Sequence, residues 1–136
     1  MIVLDSDILI EIFDRHSKTG ERYYDRILES REPFCTTALN LHEVRYGLEK
    51  YAKQSTELTD IPALDYTAED ARLSSSLEIM AERKGRKVRG MDSMIAATAI
   101  NNGSKIFTLD TGHFRMFEEA GLQFFQMPNG TCRSHK

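Results

Sequence analysis

Short, wholly apolar runs recur along the chain, and the segments between them carry apolar residues at helical spacing. The first run, Ile2-Val3-Leu4, is typical of a buried strand in a parallel sheet. Further strands are predicted at residues 33–36, 61–64, 105–109 and 122–126. Because Pro62 has no amide hydrogen to donate, residues 61–64 are expected to form an edge strand or a loop.

Helices are predicted between these strands, at residues 8–13, 21–30, 91–101 and 111–120. A further helix begins after Thr37 and places four apolar residues on one stripe: Leu41, Val44, Leu48 and Tyr51. Another begins at Thr67 with an acidic first turn and ends at Gly85. This alternation predicts a three-layer α/β/α sandwich with a mostly parallel central sheet. One domain is expected at residues 1–128, followed by a flexible C-terminal tail at residues 129–136.

Composition and charge are those of an ordinary globular protein without overall attraction to nucleic acid. Of its 136 residues, 40% are hydrophobic and 29% are charged, and the formal net charge is −3. A nucleic-acid substrate would therefore depend on a local basic patch and on metal ions. Neither Cys35 nor Cys132 is spaced like a zinc ligand, and Cys35 is expected in the core. Without a signal peptide or an apolar run of about 20 residues, the chain is expected in the cytoplasm.

Four acidic residues are predicted to meet at one edge of the sheet. Asp5 and Asp110 each directly follow a predicted strand, and the carboxyl ends of parallel strands share an edge. Glu43 lies about two turns into the helix that begins after Thr37, and Asp92 lies in the first turn of the alanine-rich helix. Each acid alone is more simply a helix cap, a turn residue or a solvated charge. Together they would repel one another, so we expect them to bind Mg²⁺ or Mn²⁺ and to hydrolyse phosphodiesters.

Four segments resemble, in order, the motifs of the PIN-domain family. Residues 1–10 resemble its opening strand with Asp-Thr/Ser-Asn, and residues 37–47 resemble the segment that carries its helical glutamate. Residues 91–99 are similar to its Asp-x-x-Ile-Ala-Ala-x-Ala signature, and residues 108–114 to its closing Thr-x-Asp and Phe. Length and layout most resemble the VapC toxins of prokaryotic toxin–antitoxin pairs. The resemblance implies a Mg²⁺- or Mn²⁺-dependent endoribonuclease, commonly dimeric, that a cognate antitoxin inhibits through a tail in the acidic groove.

The resemblance also assigns roles to individual residues. It implies four catalytic and metal-binding acids: Asp5, Glu43, Asp92 and Asp110. Ser6, Asp7 and Thr108 would support them. Asp7 stands where Asn is commoner in the family, so it would either add a charge to the site or cap the first helix. His113 stands where another acid often lies, which would weaken the outer metal shell or remove a second ion, and a one-metal mechanism stays open.

Basic residues crowd the loop before Asp92. The helix dipole explains Arg83 and Lys84 at the carboxyl end of the preceding helix. It does not explain the next three cations, which are candidates for contacts to RNA phosphates: Arg86, Lys87 and Arg89. The aromatic pairs at residues 23–24 and 124–125 could stack on bases, but core and interface positions are expected for them.

The expected reaction is in-line attack of water on RNA phosphorus, which leaves 5′-phosphate and 3′-hydroxyl ends. Asp5, Asp92 and Asp110 would hold the main Mg²⁺, and Glu43 would direct its water or a second ion. One alternative is a haloacid-dehalogenase-like phosphatase with Asp5 as nucleophile, although no later acidic pair supports it. The other is a non-catalytic PIN-fold binding module, against which the presence of all four acids argues.

Overall fold

The computed structural model describes residues 1–127 and contains a five-stranded sheet in the order β3-β2-β1-β4-β5. The strands are β1 Ile2–Leu4, β2 Phe34–Thr37, β3 Ala63–Leu64, β4 Lys105–Phe107 and β5 Gln123–Phe124. Every pair of neighbouring strands is parallel, so the sheet is parallel throughout rather than mostly. The strand that follows Pro62 lies at an edge, as predicted.

Six α-helices connect the strands within the described residues: α1 Ser6–Leu9, α2 Lys18–Ser30, α3 Ala38–Lys50, α4 Ala68–Arg83, α5 Asp92–Asn101 and α6 Thr111–Phe114. A π-helical turn, Ile10–Asp14, continues α1, and a 3-10 helix, Arg115–Ala120, continues α6. The predicted helices are therefore confirmed, but two of them change their hydrogen-bonding pattern partway. The predicted stripe of α3 is wrong at its end, because Tyr51 follows the last turn and is 70% exposed.

The sheet separates two hydrophobic cores, because successive residues of a strand point to opposite faces. Ile2 and Leu4 pack into the core on the side of α1 and α2, whereas Val3 packs into the core formed with α4 and α5. Phe107 and Ile106 of β4 divide in the same way. The chain is thus the predicted three-layer α/β/α sandwich.

The cysteine and the two aromatic pairs that the sequence assigned to the core are buried or partly buried. Cys35 is 1% exposed in the core beneath α4 and α5. Tyr23 and Phe125 are also buried, and their neighbours Tyr24 and Phe124 pack partly buried against the two cores. The expectation that these aromatic pairs belong to the core is confirmed.

Buried Asp70 ties α4 to α5. Its carboxylate and the Thr67 hydroxyl form a reciprocal cap at the start of α4. Asn101 Nδ2 donates to Asp70 Oδ1 over 2.7 Å from the far end of α5. Burial alone would raise the pKa of Asp70, but hydrogen bonds from Asn101 and Thr67 outweigh it and hold the pKa below its ordinary value. This contact fixes α5, and with it the start of the helix at Asp92.

Within the part of the chain that the structure describes, no helix is long and apolar enough to cross a membrane. The predicted tail at residues 129–136, together with Cys132, lies outside the described residues. The boundary at residue 128 therefore stays a prediction.

Candidate active site between two strands

The site lies where the order of the strands reverses. β1 is flanked by β2 and β4, since the chain first builds one side of the sheet and then returns to the other. In such sheets a crevice opens beyond the carboxyl ends of the two strands at the reversal, and ligands bind there. Asp5 directly follows β1, and Thr108 directly follows β4. Both therefore stand in this crevice. The sequence predicts this position for Asp5, whereas the predicted strand 105–109 extended past Thr108 and the observed strand ends at Phe107.

Asp5 is the centre of a buried hydrogen-bond network and is 8% exposed. Its Oδ2 accepts a hydrogen bond from Thr108 Oγ1 at 2.6 Å. Its Oδ1 accepts from Asn40 Nδ2 at 2.7 Å and from the backbone amide of Ser6 at 2.9 Å. Burial raises the pKa of the Asp5 carboxyl despite these donors. The network holds the carboxylate in one orientation while its surroundings disfavour the charge.

Glu43 joins this network through Ser6. The Ser6 hydroxyl donates to Glu43 Oε1 at 2.7 Å and accepts from Asn40 Nδ2 at 3.0 Å. Asn40 in turn is held by the cap of α3, where its backbone amide donates to Thr37 Oγ1 and that hydroxyl donates to Asn40 Oδ1. The predicted supporting hydroxyl of Ser6 thus lies between two of the predicted acids.

Sequence reasoning missed Asn40, which is fully buried. The available signal was its position three residues before Glu43, which places the two side chains on one face of α3. A polar amide in the first turn of a core-facing helix must also find partners when buried. Those partners, Asp5 and Ser6, come from a different element and were not readable from α3 alone.

Asp7 adds a third carboxylate to the crevice. Its Oδ2 accepts from the backbone amide of Leu109 at 3.0 Å, and its Oδ1 is buried without a hydrogen-bond partner among residues 1–127. Burial and the neighbouring charge of Asp5 raise the pKa of Asp7 to about 7. Asp5, not Asp7, caps α1. Of the two roles considered for Asp7, the geometry therefore favours an added charge at the site.

Asp92, the first residue of α5, interacts electrostatically with the other predicted acids. Burial, together with the charges of Asp5, Glu43 and Asp110, raises its pKa to about 7. Asp110 stands at the outer edge, with its side chain 60% exposed. Four acids from separate elements thus lie close enough to act on one another electrostatically. We refer to Asp5, Asp7, Glu43, Asp92 and Asp110 as the acidic crevice.

The acidic crevice has the donor chemistry of a site for a divalent cation. Among residues 1–127, no group of three or more acidic, histidine or cysteine side chains is arranged to hold a metal ion. The donor chemistry nevertheless fits Mg²⁺ or Mn²⁺, since the ligands are all carboxylate oxygens. The partnerless Asp7 Oδ1 and the raised pKa values of Asp5, Asp7 and Asp92 are what a cation would relieve.

One of the predicted RNA-binding cations reaches this crevice. Arg89 Nη1 lies 3.0 Å from His113 Nε2, and its positive charge partly offsets the raised pKa of Asp92. His113 Nδ1 lies 3.9 Å from Asp110 Oδ1. Arg86 and Lys87 are exposed on the loop between α4 and α5. Arg89 therefore lies beside the acidic crevice, while the other two cations lie on the surface of the loop that leads to it.

A known family model covers the part of the chain that carries the acidic crevice. The family model described as "PIN domain" matches residues 2–119, a span that includes the whole acidic crevice. A comparison with curated proteins found no match.

Several solved structures share the fold. VapBC2 from Rickettsia felis, solved bound to a DNA fragment from its promoter, is 20% identical with a TM-score of 0.77, covering 93% of this chain and 99% of its own. FitAcB from Neisseria gonorrhoeae is 22% identical with a TM-score of 0.71, covering 93% and 97%. VapBC-5 from Mycobacterium tuberculosis, of the VapBC toxin–antitoxin family, is 24% identical with a TM-score of 0.65, covering 92% and 97%. These identities establish similarity of fold, and the family match is the stronger finding. The chain belongs to the PIN-domain family.

Proposed function

We propose that the chain is a Mg²⁺- or Mn²⁺-dependent endoribonuclease. PIN domains are generally nucleases, which supports this class of reaction. The observation that carries the proposal is the acidic crevice, where burial and mutual repulsion raise the pKa of Asp5, Asp7 and Asp92 in one place. Such a cluster is costly in a stable protein unless a cation or a proton neutralises it.

Asp5, Asp92 and Asp110 are the residues that would hold the metal ion. When bound, the ion would lower the pKa of water and neutralise charge on the phosphodiester. Thr108 and Asn40 orient the Asp5 carboxylate from opposite sides, so its direction is set before any ligand arrives. This preorganisation is what charge stabilisation in an active site requires.

Glu43 would orient the attacking water. Its Oε1 accepts the hydrogen bond of Ser6, which leaves Oε2 to accept a proton from the water. Arg89, beside His113 and near Asp92, would contact a phosphate, and Arg86 and Lys87 would extend that contact along the RNA. Attack of water on phosphorus leaves 5′-phosphate and 3′-hydroxyl ends.

We further propose that the chain is the toxin of a VapBC-type pair, acts in the cytoplasm as a homodimer, and is restrained by a cognate antitoxin. Structures described as VapBC toxin–antitoxin systems share its fold over more than nine-tenths of both chains. In the proposed complex, a tail of the antitoxin enters the acidic crevice. A positively charged side chain in that tail would replace the cation that the carboxylates need.

The test is cleavage of a mixed pool of tRNA and structured RNA, with Mn²⁺ and with EDTA. We expect cleavage by the parent protein with Mn²⁺, no cleavage in EDTA, and a loss of at least about 100-fold in Asp5→Asn. Asp65→Asn is the matched control, because Asp65 is an exposed aspartate outside the acidic crevice. This variant should cleave RNA like the parent.

The products separate the alternatives. Ends that carry 2′,3′-cyclic phosphate would contradict attack by water, because they require the 2′-hydroxyl as nucleophile. Hydrolysis of a phosphate monoester with intact RNA would support the phosphatase considered from the sequence, although both oxygens of Asp5 already accept hydrogen bonds. Binding of RNA without any cleavage would identify a non-catalytic binding module.

A further inference from the structure

The outer face of α3 carries an aromatic and basic stripe that starts at the acidic crevice. We define the α3 stripe as Tyr46, Gly47, Lys50 and Tyr51, which follow Glu43 at helical spacing. Tyr46 is 61% exposed and Tyr51 is 70% exposed. The rise of the helix places Tyr51 about 12 Å beyond Glu43. Neither ring contributes to the two hydrophobic cores.

Lys50 lies between the two rings. Its Nζ is 5.7 Å from the centroid of the Tyr46 ring and 6.0 Å from that of Tyr51. The neighbouring cations are engaged, since Arg45 pairs with Glu49 and Lys53 with Asp14. Lys50 forms no ion pair with any residue in the described part of the chain. Its charge is therefore available to an anionic ligand that also contacts the rings.

A groove joins the stripe to the acidic crevice. It encloses 260 Å³, with Glu43, Gly47 and Tyr51 along its α3 side and Asp14, Arg15 and Lys53 also in its lining. Tyr46 and Lys50 lie on the helix surface beside the groove rather than in its lining. A Cβ atom at Gly47 would meet no other atom within 4 Å, so the groove is open at this point. A ligand held at Glu43 could thus continue along α3 without a steric block.

We propose that the α3 stripe binds unpaired RNA nucleotides that flank the cleaved bond, with bases stacked on Tyr46 and Tyr51 and a phosphate beside Lys50. The inference rests on the proposed function, and it adds the requirement that the RNA be single-stranded here. Proteins bind single strands by combining aromatic platforms with cations. Two exposed rings flank a lysine that has no ion-pair partner among the described residues, and this combination of aromatic faces with a cation beside the acidic crevice favours RNA over a protein segment as the occupant.

The proposal predicts a specific order of RNA affinities. The probe is a fluorescein-labelled single-stranded RNA of mixed sequence, titrated by anisotropy in Mg²⁺ against Asp5→Asn, which prevents cleavage. Adding Tyr46→Leu or Tyr51→Leu should raise the Kd about 10-fold each, since leucine keeps apolar bulk but removes the stacking face. Tyr46→Phe and Tyr51→Phe keep the ring and should retain the parent Kd. Lys50→Gln should flatten the salt dependence by roughly 0.7 in slope, whereas Lys18→Gln, at an exposed lysine of α2, should not.

Three outcomes would overturn the inference. The first is an unchanged RNA Kd in both leucine variants, with cleavage by the parent intact, which rejects the stripe and keeps the nuclease. The second is an equal loss of RNA affinity in the leucine and phenylalanine variants, which rejects stacking. The third is loss of self-association or of antitoxin binding in the leucine variants at an unchanged RNA Kd, which assigns the stripe to a protein. If the parent neither binds nor cleaves RNA, the proposed function fails and the inference fails with it.

Discussion

At the scale of single residues, Asp92 occupies a position in the acidic crevice that disfavours its charge. Asp92 begins α5, yet no side-chain hydrogen bond caps that helix in the described structure. Its carboxyl is instead surrounded by other acids, and its pKa rises to about 7. A helix cap would have the opposite effect, since a dipole partner stabilises the charged form.

Asp92→Asn should stabilise the metal-free protein. Removing a charge that burial and Asp5 disfavour should add about 1 kcal/mol to the free energy of unfolding at neutral pH, less than the pKa alone implies because solvent screens a partly buried group. Urea denaturation in EDTA measures this, with Asp65→Asn as the control. The same variant should gain less stability from added Mn²⁺ than the parent. Equal responses to Mn²⁺ would show that Asp92 does not contribute to cation binding.

The contribution of Asp92 to the free energy of unfolding should become less favourable as the pH rises. The pKa rises from 3.8 to about 7 on folding, so between these values the folded chain keeps a proton that the unfolded chain loses. The stability of the metal-free parent should therefore fall as the pH rises through this window, and the fall should be smaller in Asp92→Asn. Below about pH 4 the advantage of the variant should vanish, because both states of the parent are protonated there.

Asn40 is the residue whose role is clearest from its contacts alone. Its amide contacts the carboxylate of Asp5 and the hydroxyl of Ser6, and through Ser6 it positions Glu43. Asn40→Ala should lower kcat about 10- to 100-fold with little change in KM, as loss of a residue that orients ligands does. Asn102→Ala removes an amide that only contacts the Thr98 carbonyl, and it is the matched control. An altered KM with unchanged kcat would assign Asn40 to substrate binding instead.

At the scale of elements, the packing of the π-helical turn after α1 against α2 depends on one glycine. A Cβ atom at Gly20 would clash with the carbonyl oxygen of Glu11 and lie 3.1 Å from Ile12 Cα. Ser17 stabilises the same contact, because its hydroxyl donates to Glu11 Oε1 at 2.7 Å and accepts from the Gly20 amide at 2.9 Å. The π-helical turn and α2 are thus packed backbone to backbone.

Gly20→Ala should therefore destabilise the fold by about 2 kcal/mol or more, because neither backbone can give way freely. The matched control is Gly47→Ala, which is also within a helix but has no atom near the added carbon. It should be neutral or stabilising by up to about 1 kcal/mol, since alanine favours helix. Thermal or urea unfolding of both variants decides the point, and equal destabilisation would mean that helix packing at Gly20 is not tight.

Local pattern predicted where the elements lie but not how they end. Helices and strands occur where apolar spacing placed them, because burial of one face dominates their stability. The ends depend on contacts from other elements. The last turn of α3 stops at Lys50, and Tyr51 is exposed instead of completing the predicted apolar face of Leu41, Val44 and Leu48. The π-helical turn needs Gly20 close to Glu11, a contact that no periodicity within α1 reveals.

At the scale of the whole molecule, the acids were predictable and their surroundings were not. Asp5 and Asp110 follow strands, and any parallel sheet brings such residues to one edge. The order of the strands was not predictable, because β1 pairs with β4 across most of the chain. The Asp5–Asn40 and Asp5–Thr108 contacts, separated by 35 and 103 residues, follow from that order alone. The sequence therefore shows the charges of the site, while the fold supplies their orientation.

The hydrogen bond from Thr108 to Asp5 also has a consequence for synthesis on the ribosome. The two residues are 103 positions apart, so at ordinary translation rates the aspartate is made about 5–20 s before its partner. Until β4 is inserted beside β1, the carboxylate lacks its shortest hydrogen bond, and Asp92 and Asp110 are absent or unplaced. The acidic crevice is therefore incomplete in the nascent chain, and it can assemble only after β4 and Asp110 have left the ribosome.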